Sequence, residues 1–404
     1  MQFRYAKRKN NIEPSLIKTM PNLNKITCLD DLHAIYLRRV PQMFTDYCDS
    51  GSWTEHTYHA NRRDFNQYQF RQKVLVNIEQ RQLTSHMLGQ KVSMPVGLAP
   101  TGLIGMQHAD GEILAAKAAE NFGVPYVMST MSICSIEDVA AHTNRPFWFQ
   151  LYMMRDRQFM QRLIQRAKAA RCHALVLTAD LQIMGQRHKD IKNGLSVPPK
   201  ITFNNWLNLI TKPRWCFNML QTPRRQFGNI IGHVDGITDT RSLGAWTTQQ
   251  FDLSLSWADV AWVKQQWDGP LVIKGIMEVD DAQQALKAGA DAIVVSNHGG
   301  RQLDGAPSSI AVLEEIVAAV GHQMEVYIDS GITSGQDVLK AMALGAKGTF
   351  IGRAFIYGLG AYGQVGVEKV LQLMHKELDL SMAFCGKTEI QAVDQGILRR
   401  VASL

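Results

Sequence analysis

Residues 292–310 read AIVVSNHGGRQLDGAPSSI, and their first ten positions decide the fold. Ala292–Val295 is a short apolar run with no polar partner for its neighbours, the pattern of a strand buried on both faces. It runs directly into Ser296, Asn297, His298, two glycines and Arg301, a turn that carries a base and a permanent cation. Seven other runs share the design: VGLAP (96–100), PYVMS (125–129), FWFQL (147–151), ALVLT (174–178), LVIKG (271–275), VYIDS (326–330) and GTFIG (348–352). Helical patterns lie between them. Ser135 with Asp138 offers a capping box, and the segment from Ser334 to Gly345 has a plausible N-cap and a C-terminal glycine. Eight β–α units fit a closed (β/α)8 barrel, the TIM-barrel architecture, better than an open doubly wound sheet.

One connection is abnormal. More than ninety residues separate Thr178 from Leu271, where a loop and a helix need about thirty. The segment from 191 to about 250 therefore reads as an insertion after the fourth strand. Residues 23–94 precede the barrel as a helical extension with a short extended stretch. The basic first 22 residues lack the apolar stretch of a secretory signal and read as a disordered extension.

Composition narrows the rest. With 404 residues and 46% apolar side chains, the chain can bury a large core. No run of about 18 apolar residues predicts a membrane span. The six cysteines show no metal-like or paired spacing, so they read as reduced thiols and no metal site is expected. The net charge of +7 is unevenly placed: between Asp190 and Asp235 there is no acidic residue. Lys192, Lys200, Lys212, Arg214, Arg224 and Arg225 alternate there with Phe203, Trp206, Leu207, Ile210, Trp215 and Phe217. Apolar groups that enter a lipid interface while cations meet headgroups have this composition. Nucleic acid is the weaker alternative.

In such a barrel the active site lies at the C-terminal ends of the strands. There the chain places Ala99, Pro100, Thr101 and Gly102; Ser129; Gln150 and Tyr152; Thr178, Asp180 and, further on, Arg187; Lys274; Ser296, His298 and Arg301; Asp329 and Gly331; and Gly352 with Arg353. The strand bodies are nearly bare of such groups, and buried polar groups are unfavourable unless paired. A histidine supported by a carboxylate can take a proton near neutral pH. Two guanidinium forks match a carboxylate. Lys274 ends an apolar strand and needs a negative partner inside the barrel. Gly331, Gly352 and Arg353 occupy the usual phosphate position of these barrels. No GxGxxG follows the first strand, so a Rossmann-bound nicotinamide is not supported.

These motifs resemble the FMN-dependent α-hydroxy-acid dehydrogenase/oxidase family. The similarity runs through SNHGGRQLDGAPSS, SMPVGLAPTGL, FWFQLYMMRDR, LVLTADLQIMGQRHKDIKNG, LVIKGI and LGAKGTFIGRAF, and covers about residues 25–395. GMQHADGEILAA, the basic insertion and FDLSLSWADVAWVKQQWDGPLVIKGI look most like the membrane-associated L-lactate dehydrogenases within it. The resemblance implies one domain over 23–404. It implies His298 as catalytic base oriented by Asp180, with Arg187 and Arg301 on the substrate carboxylate and Tyr47 and Tyr152 hydrogen-bonding the substrate. It implies FMN held by Ala99, Pro100, Thr101, Ser129, Gln150, Thr178, Lys274, Ser296, Asp329, Gly331, Gly352 and Arg353. The expected reaction is oxidation of L-lactate to pyruvate, with mandelate or glycolate as the alternative substrate. Electrons would pass to quinone or a cytochrome from a homo-oligomer held at the cytoplasmic side of the inner membrane. Gly102 leans toward a dehydrogenase rather than an oxidase. Relatives carry a second phosphate arginine where Thr333 stands here, and a glutamate where His188 stands. The first departure implies looser FMN binding or a substitute cation.

Overall fold

The computed structural model describes residues 23–195, 202–234, 250 and 252–401. The expected extension over 1–22, and residues 196–201, 235–249 and 251 of the insertion segment, lie outside the described residues. The eight apolar runs all form strands: β1 (Val96–Leu98), β2 (Val127–Ser129), β3 (Trp148–Tyr152), β4 (Leu175–Thr178), β5 (Leu271–Ile276), β6 (Ala292–Val295), β7 (Glu325–Ile328) and β8 (Gly348–Ile351). They pair in parallel, each with its neighbour in sequence, and β8 pairs with β1 through Thr349–Val96, Phe350–Gly97 and Ile351–Leu98. A parallel bridge from Leu98 to Tyr126, with Leu98 N donating to Pro125 O at 2.9 Å, closes the ring beside β2. The fold is the (β/α)8 barrel.

Side chains alternate along a strand, so one parity faces the barrel axis and the other the helices. Leu175, Leu177, Ile293 and Val295 face outward into the large helix-covered core. Val127, Trp148, Val176, Val272, Val294, Tyr327 and Phe350 fill the inside as a separate cluster. At the floor, Phe350 packs against Trp148 and Tyr327, with both centroid separations 5.6 Å. Gly97 lies beside this ring stack, where a Cβ would come within 2.5 Å of Phe350. A hairpin, Ser85–Met87 with Gln90–Val92, stoppers the floor by inserting Met87 and Val92.

The segment before the barrel forms α1 (Leu29–Arg39), α2 (Gln42–Cys48) and α3 (His56–Arg63). The extended stretch, Tyr68–Phe70, pairs antiparallel with Leu398–Arg400, joining the two ends of the described chain. Long-range bonds hold this segment over the mouth. Asn61 and Asn297 exchange side-chain amides at 2.8 and 2.7 Å, and Thr54 and Thr57 donate backbone N–H to Asp304.

The insertion contributes two helices, Phe203–Ile210, capped by Thr202, and Pro213–Gln221 with proline at its start. Phe203, Trp206, Ile210, Phe217 and Leu220 are exposed on them, Phe203 to 72% and Leu220 to 71%. Not every cation of the segment is free. Arg224 bridges Asp110 and Asp138 at 3.0 and 2.7 Å, and Lys212 Nζ donates to the carbonyls of Leu37 and Arg38. Among the described residues no helix is long and apolar enough to cross a membrane.

Candidate active site

The parity that fills the barrel also builds the site. Two residues beyond each inward-facing apolar side chain, the same face carries Ser129, Gln150, Thr178, Lys274, Ser296, Asp329 and Gly352. On the first strand Gly97 is followed in the same way by Ala99 and Thr101, which stand at the mouth. A cavity of about 640 Å³ opens there. It is lined by Tyr47, Ala99–Thr101, Tyr152, Arg187, Lys274, His298, Arg301, Asp329, Gly331, Gly352 and Arg353 of the expected set; Ser129, Gln150, Thr178, Asp180 and Ser296 are not among its lining residues.

His298 sits in a left-handed conformation (φ 57°) followed by Gly299 and Gly300, also left-handed. This tight turn needs glycines after the histidine, since a Cβ on Gly300 would meet the Tyr58 backbone at 2.5 Å. His298 Nδ1 lies 2.9 Å from Asp180 Oδ1. A carboxylate only accepts, so Nδ1 donates and Nε2 is left as the basic atom. Burial pushes the Asp180 carboxyl up, but the His298 charge and hydrogen bond, with Lys274 nearby, outweigh it and hold the group below its ordinary range. Asp180 is thus the anion that orients and supports the base.

The two arginines converge as expected, and a third group joins them. Arg301 donates to the Tyr47 carbonyl, and to Ser50 O and Oγ at 3.1 and 3.0 Å, with its guanidinium 4.6 Å from the Tyr47 ring centroid. Its Nη2 is buried and makes no hydrogen bond, though it forms an ion pair with Asp190 Oδ2 at 3.6 Å. Arg187 Nη1 approaches the same oxygen at 3.5 Å. Burial, with Arg187 beside it, draws Arg301 down to about 10. Burial raises Asp190 despite both arginines. Sequence reasoning missed Asp190. Its signal was the i, i+3 spacing from Arg187, which caps the short helix His188–Lys192. The Tyr152 hydroxyl is raised by burial and stays neutral.

Lys274 finds its negative partner: Nζ lies 3.0 Å from Asp329 Oδ2 and 2.7 Å from Ser296 Oγ. Ser296 is fully buried, and its hydroxyl also accepts from His298 N at 3.1 Å. Ser296 thus ties the lysine to the histidine turn. Gln150 Oε1 accepts from Ser129 Oγ at 3.1 Å and Thr130 N at 3.3 Å, which turns its amide nitrogen outward. Gln150 Nε2 and Thr178 Oγ1 are then buried with no partner. Native proteins rarely leave such groups unsatisfied. A planar heteroaromatic ring with its own donors and acceptors would satisfy them, and Lys274 would stand as the cation beside it.

At the seventh and eighth strands, Gly331 (φ 94°) packs against α3, where a Cβ would meet Asn61 O at 2.1 Å. Gly352 precedes the helix Arg353–Tyr362, and a Cβ there would have no neighbour closer than 3.9 Å. That space and the free N–H groups of a helix start suit a phosphate. Arg353 donates to Cys48 O, Ser50 O and Gly299 O at 2.8, 3.0 and 3.0 Å, bracing the first segment against the His298 turn. Thr333 is committed to Asp337. Arg62 lines the same cavity next to Asn61 and has no ion-pair partner among the described residues.

Comparison with known proteins agrees with this arrangement. The sequence matches the FMN-dependent dehydrogenase family over residues 37–400. It is 42% identical to an L-lactate dehydrogenase of Pseudomonas syringae pv. syringae (strain B728a) over 375 residues, covering 92% of this chain and 98% of that protein. An L-lactate dehydrogenase of Ectopseudomonas mendocina (strain ymp) is 42% identical over 374 residues, with the same coverage. Among solved structures, a monotopic membrane protein, (S)-mandelate dehydrogenase, superposes with a TM-score of 0.89 at 34% identity, covering 93% of this chain and all of that one.

Proposed function

This chain belongs to the FMN-dependent dehydrogenase family, and on that premise we propose that it oxidises L-lactate to pyruvate. The observation that carries the reading is the convergence of His298 Nε2, Arg187 and Arg301 on one cavity, in a chain 42% identical to L-lactate dehydrogenases. The two guanidinia bind the substrate carboxylate, with Arg301 Nη2, which makes no hydrogen bond of its own, offering a donor. Tyr47 and Tyr152 hydrogen-bond the substrate and fix its rotation. His298 Nε2 takes the proton that the substrate loses, and Asp180 stabilises the imidazolium that results.

Bound FMN supplies the two-electron acceptor for the hydrogen on the substrate carbon. Gln150, Thr178 and Ser129 would hold its ring edge with the Ala99–Thr101 backbone, and Lys274 would supply a positive charge beside the ring. Asp329 and Gly331 hold the ribityl–phosphate region, Gly352 and Arg353 the phosphate. Arg62 is the substitute cation for the arginine that Thr333 replaces.

Electrons leave to a respiratory acceptor, a quinone or a cytochrome. The exposed Phe203, Trp206, Ile210, Phe217 and Leu220, with the insertion's free cations, dock a homo-oligomeric enzyme on the anionic cytoplasmic face of the inner membrane. The similarity to a monotopic membrane enzyme supports this. Mandelate is the second reading, favoured by that same relative and by the apolar Met131 and Met184 in the cavity wall.

An anaerobic visible spectrum before and after L-lactate tests the reading. The expected result is a flavin spectrum that bleaches within seconds. A flavin that stays yellow with lactate but bleaches with mandelate would move the assignment to the second reading. A protein that cannot take up FMN would overturn both.

A further inference from the structure

Asp190 faces both arginines assigned to the substrate carboxylate, and it lines the same cavity. Its Oδ2 lies 3.5 Å from Arg187 Nη1 and 3.6 Å from Arg301 Nη2. Both separations exceed hydrogen-bond length. Its Oδ1 is buried and makes no hydrogen bond. The carboxylate therefore offsets charge between the two guanidinia without occupying their donors.

Arg301 does not depend on Asp190 for its place. Its Nη1 donates to the Tyr47 carbonyl and to Ser50 O and Oγ, and the guanidinium lies 4.6 Å from the Tyr47 ring centroid. Asp190 is held in turn by its short helix. Asn193 Nδ2 donates to Asp46 Oδ2 at 2.7 Å, and Lys189 Nζ donates to Asp49 O at 2.8 Å, so the helix is tied to α2 and the residue after it. The charged groups that face Asp190 are Arg187 on its own helix, Arg301 from the turn after β6 and Asp46 on α2, with the Ser50 hydroxyl beside it. Tyr152 and the His298–Asp180 pair belong to the same mouth.

Two guanidinia with one carboxylate between them keep a single net positive charge, which matches one monocarboxylate. Without that carboxylate they would hold two. Oxidation at the neighbouring carbon leaves the substrate carboxylate unchanged, so its binding is shared by substrate and product and does not lower the barrier between them. We propose that Asp190 sets the affinity of the arginine pair, offsetting one of its charges so that a 2-hydroxy acid is captured and the 2-oxo acid product still leaves. Asp190 acts through Arg187 and Arg301 and is a positioning residue for the carboxylate. Burial raises its carboxyl, so the offset weakens as the pH falls and Asp190 takes up a proton. A residue that merely held the arginines in place would have the opposite signature, since neutralising it would loosen binding.

The inference rests on the carboxylate reading above. Pyruvate is titrated into the oxidised, FMN-loaded full chain, and binding is followed by the change in flavin absorbance and by calorimetry. Asp190→Asn keeps the shape and removes the charge, so it should bind pyruvate about tenfold more tightly than wild type at about pH 8. That ratio should shrink toward one at about pH 5.5, where the wild-type carboxyl gains its proton. His298 titrates in both proteins and cancels in the ratio. In turnover, KM for lactate should fall while kcat does not rise. Asp190→Ser removes the same charge in less space and should shift binding in the same direction, so a misfolded asparagine variant does not end the test. Equal or weaker pyruvate binding in the folded variants would overturn the proposal, as would a ratio that does not change with pH. Arg301→Lys separates this inference from the reading beneath it. Unchanged pyruvate binding in that variant would overturn both, whereas unchanged binding in the Asp190 variants alone overturns only the proposal.

Discussion

The floor and the mouth of the barrel are built on the same strands and treat polar atoms oppositely. At the floor, Trp148 Nε1 donates to Gln90 Oε1 at 2.9 Å, His173 Nε2 lies 2.9 Å from Leu88 O, and Tyr327 Oη bonds Glu325 and accepts from Leu88 N. Two residues along β3 from Trp148, Gln150 Nε2 is buried with no partner. Of the seven such atoms among the described residues, five lie at the mouth: Gln150 Nε2, Thr178 Oγ1, Asp180 Oδ2, Asp190 Oδ1 and Arg301 Nη2. The other two, Ser93 Oγ and Tyr126 Oη, lie at the floor end, beside the hairpin and at the start of β2, so the floor is closed largely by the protein's own bonds, whereas open polarity is concentrated at the mouth. Unsatisfied polarity, read with strand direction, therefore locates function without any ligand in view.

The contrast can be attacked at both ends. The largest effect is expected from His298→Ala, which should keep its flavin but lose about 10³-fold in the rate of bleaching by lactate, roughly 4 kcal/mol of barrel-mouth chemistry. Stopped-flow reduction measures this, and a loss below tenfold would remove His298 as the base. Arg301→Lys should lower kcat/KM about 100-fold at unchanged FMN content, because an ammonium does not reproduce the fork. Steady-state kinetics with lactate decide it, and wild-type values would show that Arg187 alone binds the carboxylate.

At the floor the expected outcome reverses. Tyr327→Phe removes a hydroxyl from a completed network, so it should destabilise the protein by about 1–2 kcal/mol in urea unfolding while FMN affinity and turnover stay unchanged. Altered flavin binding in that variant would mean that floor and mouth are coupled. The finest test is Thr178→Val, which deletes an unpartnered hydroxyl at nearly constant shape. It should leave the flavin-free protein about 1 kcal/mol more stable and weaken FMN binding roughly tenfold. Thermal unfolding without FMN and fluorescence titration with it give the two signs. Destabilisation of the flavin-free protein would show that the mouth is as satisfied as the floor.

Much of this was legible in the chain. Each strand could be found from a handful of consecutive apolar residues, and counting by two from Val176 or Val272 leads to Thr178 and Lys274. The partner of Lys274 was foreseeable in kind, an inward anion, but not as Asp329 with Ser296 beneath. That Ser296 bridges Lys274 and the His298 turn was not legible, because a position at a strand end does not say which neighbour claims its hydroxyl. Asp190 was missed because its meaning depends on Arg301, far along the chain and on another loop.

The sequence by itself determined the barrel, the placement of the insertion and the inward ring of polar residues. These follow from short-range periodicity, which a strand enforces whatever surrounds it. Only the tertiary structure decided which of those residues work together. The bond from Arg301 to Tyr47 spans 254 positions, and the pairing of Asn61 with Asn297 spans 236. His33 meets Tyr357 only because α1 crosses the helix that follows β8. Such contacts form when loops and helices close over the mouth, and no local pattern records which polar groups that closure brings within a hydrogen bond.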